Sequence, residues 1–174
     1  MVMVITELNT VTEAQVQEVI ALMGELDPEL TVTGEMVRRT VGAESTHFFA
    51  AMEGERIVGC ASLCVFDSPT GRKASIEDVV VREAFRGRGL GKMLMQRAIE
   101  CAEGMAPISL QLTSRPMRRA ANAMYRALGF RQRETNAYRM EIPGQARDEE
   151  FRPGMREAAR MRGSGPGGVD GQGR

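Results

Sequence analysis

Val79-Val80-Val81-Arg82-Glu83-Ala84-Phe85-Arg86-Gly87-Arg88-Gly89-Leu90-Gly91-Lys92 is the stretch on which the reading of this chain turns. It opens as a β-branched apolar run, the pattern of a strand buried on both faces and hence central in a sheet. It passes through three alternating glycines and continues as an amphipathic helix, Gly89–Glu103. Leu90, Leu94, Ala98, Cys101 and Ala102 share one face of that helix, and Gly104 ends it. Glycine lets a backbone approach another group closely. The first N–H groups of a helix lack internal partners, and the macrodipole places about half a positive charge beside them. Arg86, Arg88 and Lys92 add full charges. Strand, turn and helix together predict a cradle for a phosphate or pyrophosphate.

Two familiar phosphate loops do not fit. The Walker A pattern would need Gly at Arg86 and Ser or Thr at Met93. The dinucleotide pattern G-x-G-x-x-G, started at Gly87, meets Lys92 where its third glycine belongs. A plain tight connector is the remaining alternative, but it requires neither three glycines nor three flanking bases.

Outward from this stretch the chain alternates strand and helix signals. Val2–Leu8 reads as a strand, Thr12–Leu26 as a helix with Val16, Val19, Ile20 and Met23 at helical spacing, and a short helix follows Thr33. His47–Glu53 and Arg56–Phe66 read as a hairpin turning at Glu53-Gly54-Glu55. Ala74–Arg82 is the central strand and Pro107–Thr113 another. Pro116–Leu128 is a helix with Met117, Ala120, Ala121, Met124 and Leu128 inward and Gly129 capping its end. Phe130–Arg133 and Asn136–Ile142 read as two closing strands. The expected order is βααβββαβαββ, a mixed α/β (α+β) domain over residues 1–142. Residues 143–174 hold 8 of the 19 glycines and 3 of the 7 prolines, a composition expected of a disordered tail.

Arg86-Gly87-Arg88-Gly89-Leu90-Gly91 resembles the [Q/R]-x-x-G-x-[G/A] signature of the GNAT superfamily of acetyl-CoA-dependent N-acetyltransferases. The element order over residues 1–142 is similar too. The resemblance implies a mostly antiparallel sheet with helices on both faces, and coenzyme A as the anion's owner. It implies that N–H groups from Gly87 through Gly89 and Leu90 to Gly91 hold the pyrophosphate. The main chain of Val79 and Val81 would pair with the pantetheine arm, and an N–H near Val79 or Val80 would face the developing oxyanion.

A second match is Asn122-Ala123-Met124-Tyr125-Arg126-Ala127-Leu128-Gly129-Phe130. The family carries a Tyr four residues before the Gly of Leu-Gly-Phe, and Tyr125 stands there. The resemblance makes Tyr125 the general acid to the departing thiolate, and Asn122, one turn earlier, a pantetheine or diphosphate contact. Glu77 and Asp78 precede Val79. A carboxylate raised in pKa by burial could take the proton of an incoming ammonium. Successive strand residues face opposite ways, so at most one of the two should face the site. The run Ile76-Glu77-Asp78-Val79-Val80-Val81 is similar to that of glucosamine-6-phosphate N-acetyltransferases. Each acid could instead be structural, bonded to backbone N–H groups or an arginine.

Charge fits this arrangement. The 174 residues carry 23 bases and 23 acids. Residues 1–78 hold 13 acids and 5 bases, net −8; residues 79–142 hold 5 acids and 12 bases, net +7. The balanced total argues against a nucleic-acid partner, while the +7 region suits a compact anion and the −8 region a cationic amine. The longest apolar runs fall far short of the ~20 residues that span a bilayer, so no membrane partner is expected. The N-terminus lacks a basic signal region, and Cys60, Cys64 and Cys101 form no CxxC pair; a cytoplasmic setting is expected. With one histidine, His47, expected to be a satisfied strand residue, no metal site is expected. Cys60 and Cys64 read as packing residues. Arg115, Arg118 and Arg119 form either a solvated face or an anion contact.

The expected function is transfer of an acetyl group from acetyl-CoA to a primary amine of a small molecule, by direct attack in a ternary complex. A protein lysine or N-terminal acetyltransferase is the alternative, and a non-catalytic acyl-CoA-binding module a third. The family makes a homodimer a reasonable expectation.

Overall fold

The structure is a computed structural model, and it describes residues 3–142. The expected tail, 143–174, lies outside the described residues. Five strands form one sheet in the order β1-β2-β3-β4-β5. They are β1 (Met3–Leu8), β2 (Thr46–Glu53), β3 (Arg56–Ser68), β4 (Gly71–Val81) and β5 (Ser109–Leu112). The first four pair antiparallel with their neighbours; β4 and β5 run parallel, joined by a helical crossover as parallel strands must be. The helices are α1 (Glu13–Leu26), α2 (Gly34–Val41), α3 (Leu90–Glu103) and α4 (Arg119–Ala127).

Helices cover both faces, each over its own core. On one face α1 and α2 bury Val16, Val19, Leu22, Met23, Val37 and Val41 against Phe48, Ala50, Ile57, Cys60 and Val80. On the other, α3 buries Leu90, Leu94, Met95, Ala98 and Ala102 against Phe49, Val58, Leu63 and Ile76, with Met124 and Tyr125 of α4 and Leu128 just past it at the margin. The adjacent pair Phe48 and Phe49 therefore feeds both cores, as the pleat dictates. Thr12 and Gln15 close a capping box at the start of α1, each side chain bonding the other's backbone N–H. Among the described residues no helix is long and apolar enough to cross a membrane.

Two expectations of local structure give way. Residues 130–142 contain no strand, so the last two elements of the expected order are absent from the described structure. Their alternating apolar set meets no partner among the described residues: Tyr138, Met140 and Ile142 are 90%, 82% and 83% exposed. Met117 is also outside the core, 78% exposed. The helix starts three residues after the expected Pro116, at Arg119, so Met117 belongs to the preceding turn and not to the apolar stripe.

Candidate active site

The glycine turn is built as its composition requires. After Val81 the chain makes a 3-10 turn, Glu83–Phe85, and reaches α3 through Arg86–Gly89. Gly87 and Gly89 have φ of 76° and 82°, the left-handed region that L-residues avoid. A Cβ at either would meet only open space, so backbone conformation, not crowding, demands glycine there. Gly91 is helical. A Cβ there would lie 3.9 Å from both Met124 Sδ and Val81 Cγ2, which shows α3, α4 and β4 converging at this point. No side chain caps α3 and no acid stands in its first turn, leaving its N–H groups turned outward. An anionic diphosphate fits this end.

The flanking bases divide their roles. Arg86 Nε donates to Val81 O at 3.0 Å, and its Nη2 lies 3.7 Å from Glu25 Oε2. Arg88 Nη2 donates to Ala84 O at 3.1 Å, and its guanidinium sits 4.9 Å from the Phe85 ring centroid. Both arginines brace the loop that the resemblance has them serve. Lys92 makes no ion pair among the described residues and is the base left to meet a ligand.

A bulge interrupts β4 where the acids stand. Cys60 pairs with Val80 and Ser62 with Glu77, so Asp78 and Val79 together oppose Ala61 alone. Asp78 takes a φ of 53°, a left-handed backbone that Asp tolerates better than most residues. The extra residue reverses which way β4 faces. Ala74 and Ile76 point to the α3 core, and Val79 and Val81 pack there too, while Val80 points to the α1 core. Glu77 and Asp78 therefore open on the same side, which corrects the expectation that alternation would separate them. Glu77 accepts a hydrogen bond from Ser75 Oγ. Surrounding protein raises the Asp78 carboxyl above its ordinary range, and the Glu77 charge raises it further. Both acids push up the Cys64 thiol, after burial as the main cause, which puts Cys64 beside them.

β5 pairs with β4 only over Lys73–Ile76. From Glu77 onward that edge of β4 has no strand beside it among the described residues, and this unpaired edge leading to the glycine turn is the candidate cleft. α4 approaches this cleft with Tyr125. The helix ends in a Schellman motif: Phe130 N–H donates to Tyr125 O at 3.1 Å and Gly129 N–H to Arg126 O at 3.1 Å, with Gly129 at φ 94°. The accompanying apolar contact is Tyr125 against Phe130, edge to face, with centroids 6.3 Å apart. Leu-Gly-Phe thus fixes the tyrosine ring. Burial raises the phenol's pKa, with Arg118 working weakly the other way. Asn122 Nδ2 donates to Arg115 O at 2.9 Å and Arg118 O at 3.0 Å, so only its Oδ1 remains for a ligand.

The other candidates are accounted for within the fold. His47 is bonded to Glu7 at 2.7 Å and stacked on Phe49, on the α3 side of the sheet and away from the acids. Cys60 is fully buried, its thiol pushed up mainly by that burial. Cys101 is half-buried on α3, with burial the main cause of its raised pKa. Arg115 pairs with Asp27 at 3.2 Å, and Arg118 donates to Leu26 O at 3.2 Å. These two contacts escaped the sequence reading, as did Ser114, whose buried Oγ has no hydrogen-bond partner among the described residues.

The family model of the acetyltransferase (GNAT) family matches residues 17–130. No curated protein sequence matches the chain significantly. Among solved structures, an acetyltransferase of Trypanosoma brucei superposes with a TM-score of 0.64 at 25% identity, over 81% of this chain and 100% of that one. Glucosamine-6-phosphate N-acetyltransferase from Arabidopsis thaliana has a TM-score of 0.64 at 19% identity, over 80% of this chain and 99% of that one. Aminoglycoside N-acetyltransferase AAC(6')-Iy in complex with CoA has a TM-score of 0.64 at 18% identity, over 80% and 95%. At these last identities the likeness is one of fold.

Proposed function

The chain belongs to the acetyltransferase (GNAT) family, and on that premise we propose that it moves an acetyl group from acetyl-CoA to a primary amine of a small cationic molecule. Membership makes it an acyltransferase that draws on acetyl-CoA, which supplies an activated thioester carbonyl when bound. The remainder concerns what this chain's own residues do.

The N–H groups at the start of α3, between Gly87 and Gly91, bind the diphosphate, helped by Lys92. The free edge of β4 at Val79, Val80 and Val81 aligns the pantetheine arm, and the bulge turns an N–H toward the developing oxyanion. Asp78 accepts the proton of the incoming ammonium; its raised pKa brings it nearer the range in which a base works at neutral pH. Glu77 adds negative charge that favours a cationic acceptor. Tyr125 keeps its proton at neutral pH and gives it to the departing thiolate. Transfer is direct, because each cysteine thiol has a raised pKa and none is poised as an acyl carrier.

The observation that carries this reading is the bulge at Asp78. It brings two carboxylates to one side of the sheet, one residue before the β4 edge that would receive the coenzyme. The test is thiol release from acetyl-CoA across small mono- and diamines, amino sugars and lysine peptides. Turnover with small amines supports the proposal. Turnover confined to peptides refutes the acceptor class, and acetyl-CoA binding with no turnover on any amine refutes catalysis.

A further inference from the structure

The two arms of the cleft lose their strand pairing toward the glycine turn. β4 and β5 part company after Ile76 and Leu112. One arm continues into the 3-10 turn and glycine loop, the other into the Arg115–Arg118 turn that leads to α4. Yet three consecutive residues at the end of α1 hold both.

Glu25 grips the first arm. Its Oε2 accepts the Glu83 N–H at 2.9 Å, at the start of the 3-10 turn, and lies 3.7 Å from Arg86 Nη2. Its Oε1 lies 3.7 Å from Arg82 Nη1. Leu26 and Asp27 grip the second arm. Leu26 O accepts from Arg118 Nη2 at 3.2 Å and Asp27 Oδ2 from Arg115 Nη2 at 3.2 Å. Asp27 is itself fixed, because its Oδ1 accepts the Glu29 N–H at 3.1 Å. The last turn of α1 contains no base of its own. Cations 88 and 92 residues away meet its exposed carbonyl end, where the helix dipole favours them.

We propose that Glu25, Leu26 and Asp27 form a strap across the mouth of the cleft, and that Glu25 and Asp27 are positioning residues for the acetyl donor. They touch neither reacting group. They set the separation of the two arms, and through Arg86, which bonds Val81 O, they set the end of the β4 edge. This inference rests on the reading of the cleft as a coenzyme A site.

The experiment measures coenzyme A binding by calorimetry, and steady-state kinetics with acetyl-CoA and then a small diamine varied in turn, for wild type, Glu25→Gln, Glu25→Ala, Asp27→Asn and the Glu25→Ala/Asp27→Asn double variant. Glu25→Gln keeps an acceptor for the Glu83 N–H and loses only the charge, so it is the variant least exposed to misfolding. The expected result is a rise in Kd and in KM for acetyl-CoA of roughly fivefold or more for Glu25→Ala and Asp27→Asn, with kcat unchanged. Glu25→Gln should fall between Glu25→Ala and wild type. The double variant should lose less than the product of the single effects, because cutting either end releases the strap. Variants that bind coenzyme A like wild type, or whose only change is in acceptor KM, overturn the strap. Wild type that fails to bind coenzyme A overturns the underlying reading, and the strap with it.

Discussion

Gly89→Ala and Gly91→Ala form a pair of near-identical substitutions, two residues apart, for which the structure demands different outcomes. Gly89 is the N-cap of α3 with φ 82°, and a Cβ there meets no atom within 4 Å. Its cost is therefore conformational alone, about 1–2 kcal/mol for an L-residue held left-handed. For a domain of this size that lowers Tm by roughly 3–10 °C, read by calorimetry or dye-based melting. If the loop relaxes to escape the strain, the N–H groups of Leu90 and Gly91 turn away from the anion. Loss of one charged hydrogen bond raises Kd for coenzyme A about 10- to 100-fold. Gly91 is helical and its Cβ would sit at ordinary contact distance, 3.9 Å from Met124 Sδ and Val81 Cγ2. Gly91→Ala should be neutral or more stable by up to about 1 kcal/mol, and its coenzyme affinity should stay near wild type, since the signature accepts Ala there. Equal damage from both substitutions, or loss of affinity with Gly91→Ala alone, would refute the argument that backbone conformation at Gly89 builds the cradle.

Asp78→Asn should abolish the acidic limb of the kcat/KM profile and lower turnover, while Asn accepts the left-handed backbone that Asp78 occupies. Because the Asp78 pKa is raised in the fold, ionised Asp78 costs stability: its contribution is fully present below the ordinary Asp range and lost as pH rises through the raised value. Asp78→Asn should thus melt no lower than wild type at pH 7, and a marked drop in Tm would contradict this. Tyr125→Phe keeps the ring against Phe130, so Tm and KM for acetyl-CoA should hold while kcat falls about 100-fold; unchanged kcat removes Tyr125 from the acid role. Gly59→Ala would place a Cβ 2.9 Å from Val80 O and 3.2 Å from Val81 Cγ2. Overpacking of that kind costs about 1–3 kcal/mol, seen as a lower denaturation midpoint, and wild-type stability would mean that β3 and β4 can part freely beside the bulge.

What the chain reveals locally differs from what only its folding reveals. The glycine turn, the capped α1 and the Leu-Gly-Phe end of α4 are decided within a few residues, and each is legible because Gly, Thr and Gln have specific backbone roles there. The strap is not legible: Asp27 and Arg115 carry no mutual signal across 88 residues, and either reads as a solvated charge. The alternation of Tyr138, Met140 and Ile142 misleads for a related reason, since period-2 spacing states only what a strand would bury if it had a neighbour. Residues 130–142 lack that neighbour among the described residues.

The bulge lies between these cases, and it matters most for the chemistry. Apolar residues toward the α3 core fall at 74 and 76, then at 79 and 81. A regular strand would put the third at 78, where Asp stands. The interval of three in place of two is the trace of an inserted residue, present in the sequence but hidden by the continuous Val79-Val80-Val81 run, which supplies an apolar side chain to whichever face is asked for one. The run is needed because the strand is covered on both faces; it conceals the register for the same reason. Once the parity change is recognised, Glu77 and Asp78 cease to be alternatives and become a pair, with the Asp78 carboxyl raised. The balanced charge of the chain then has a seam along the sequence: net −8 up to Asp78, net +7 from Val79 to residue 142, and a one-residue insertion in β4 at the junction.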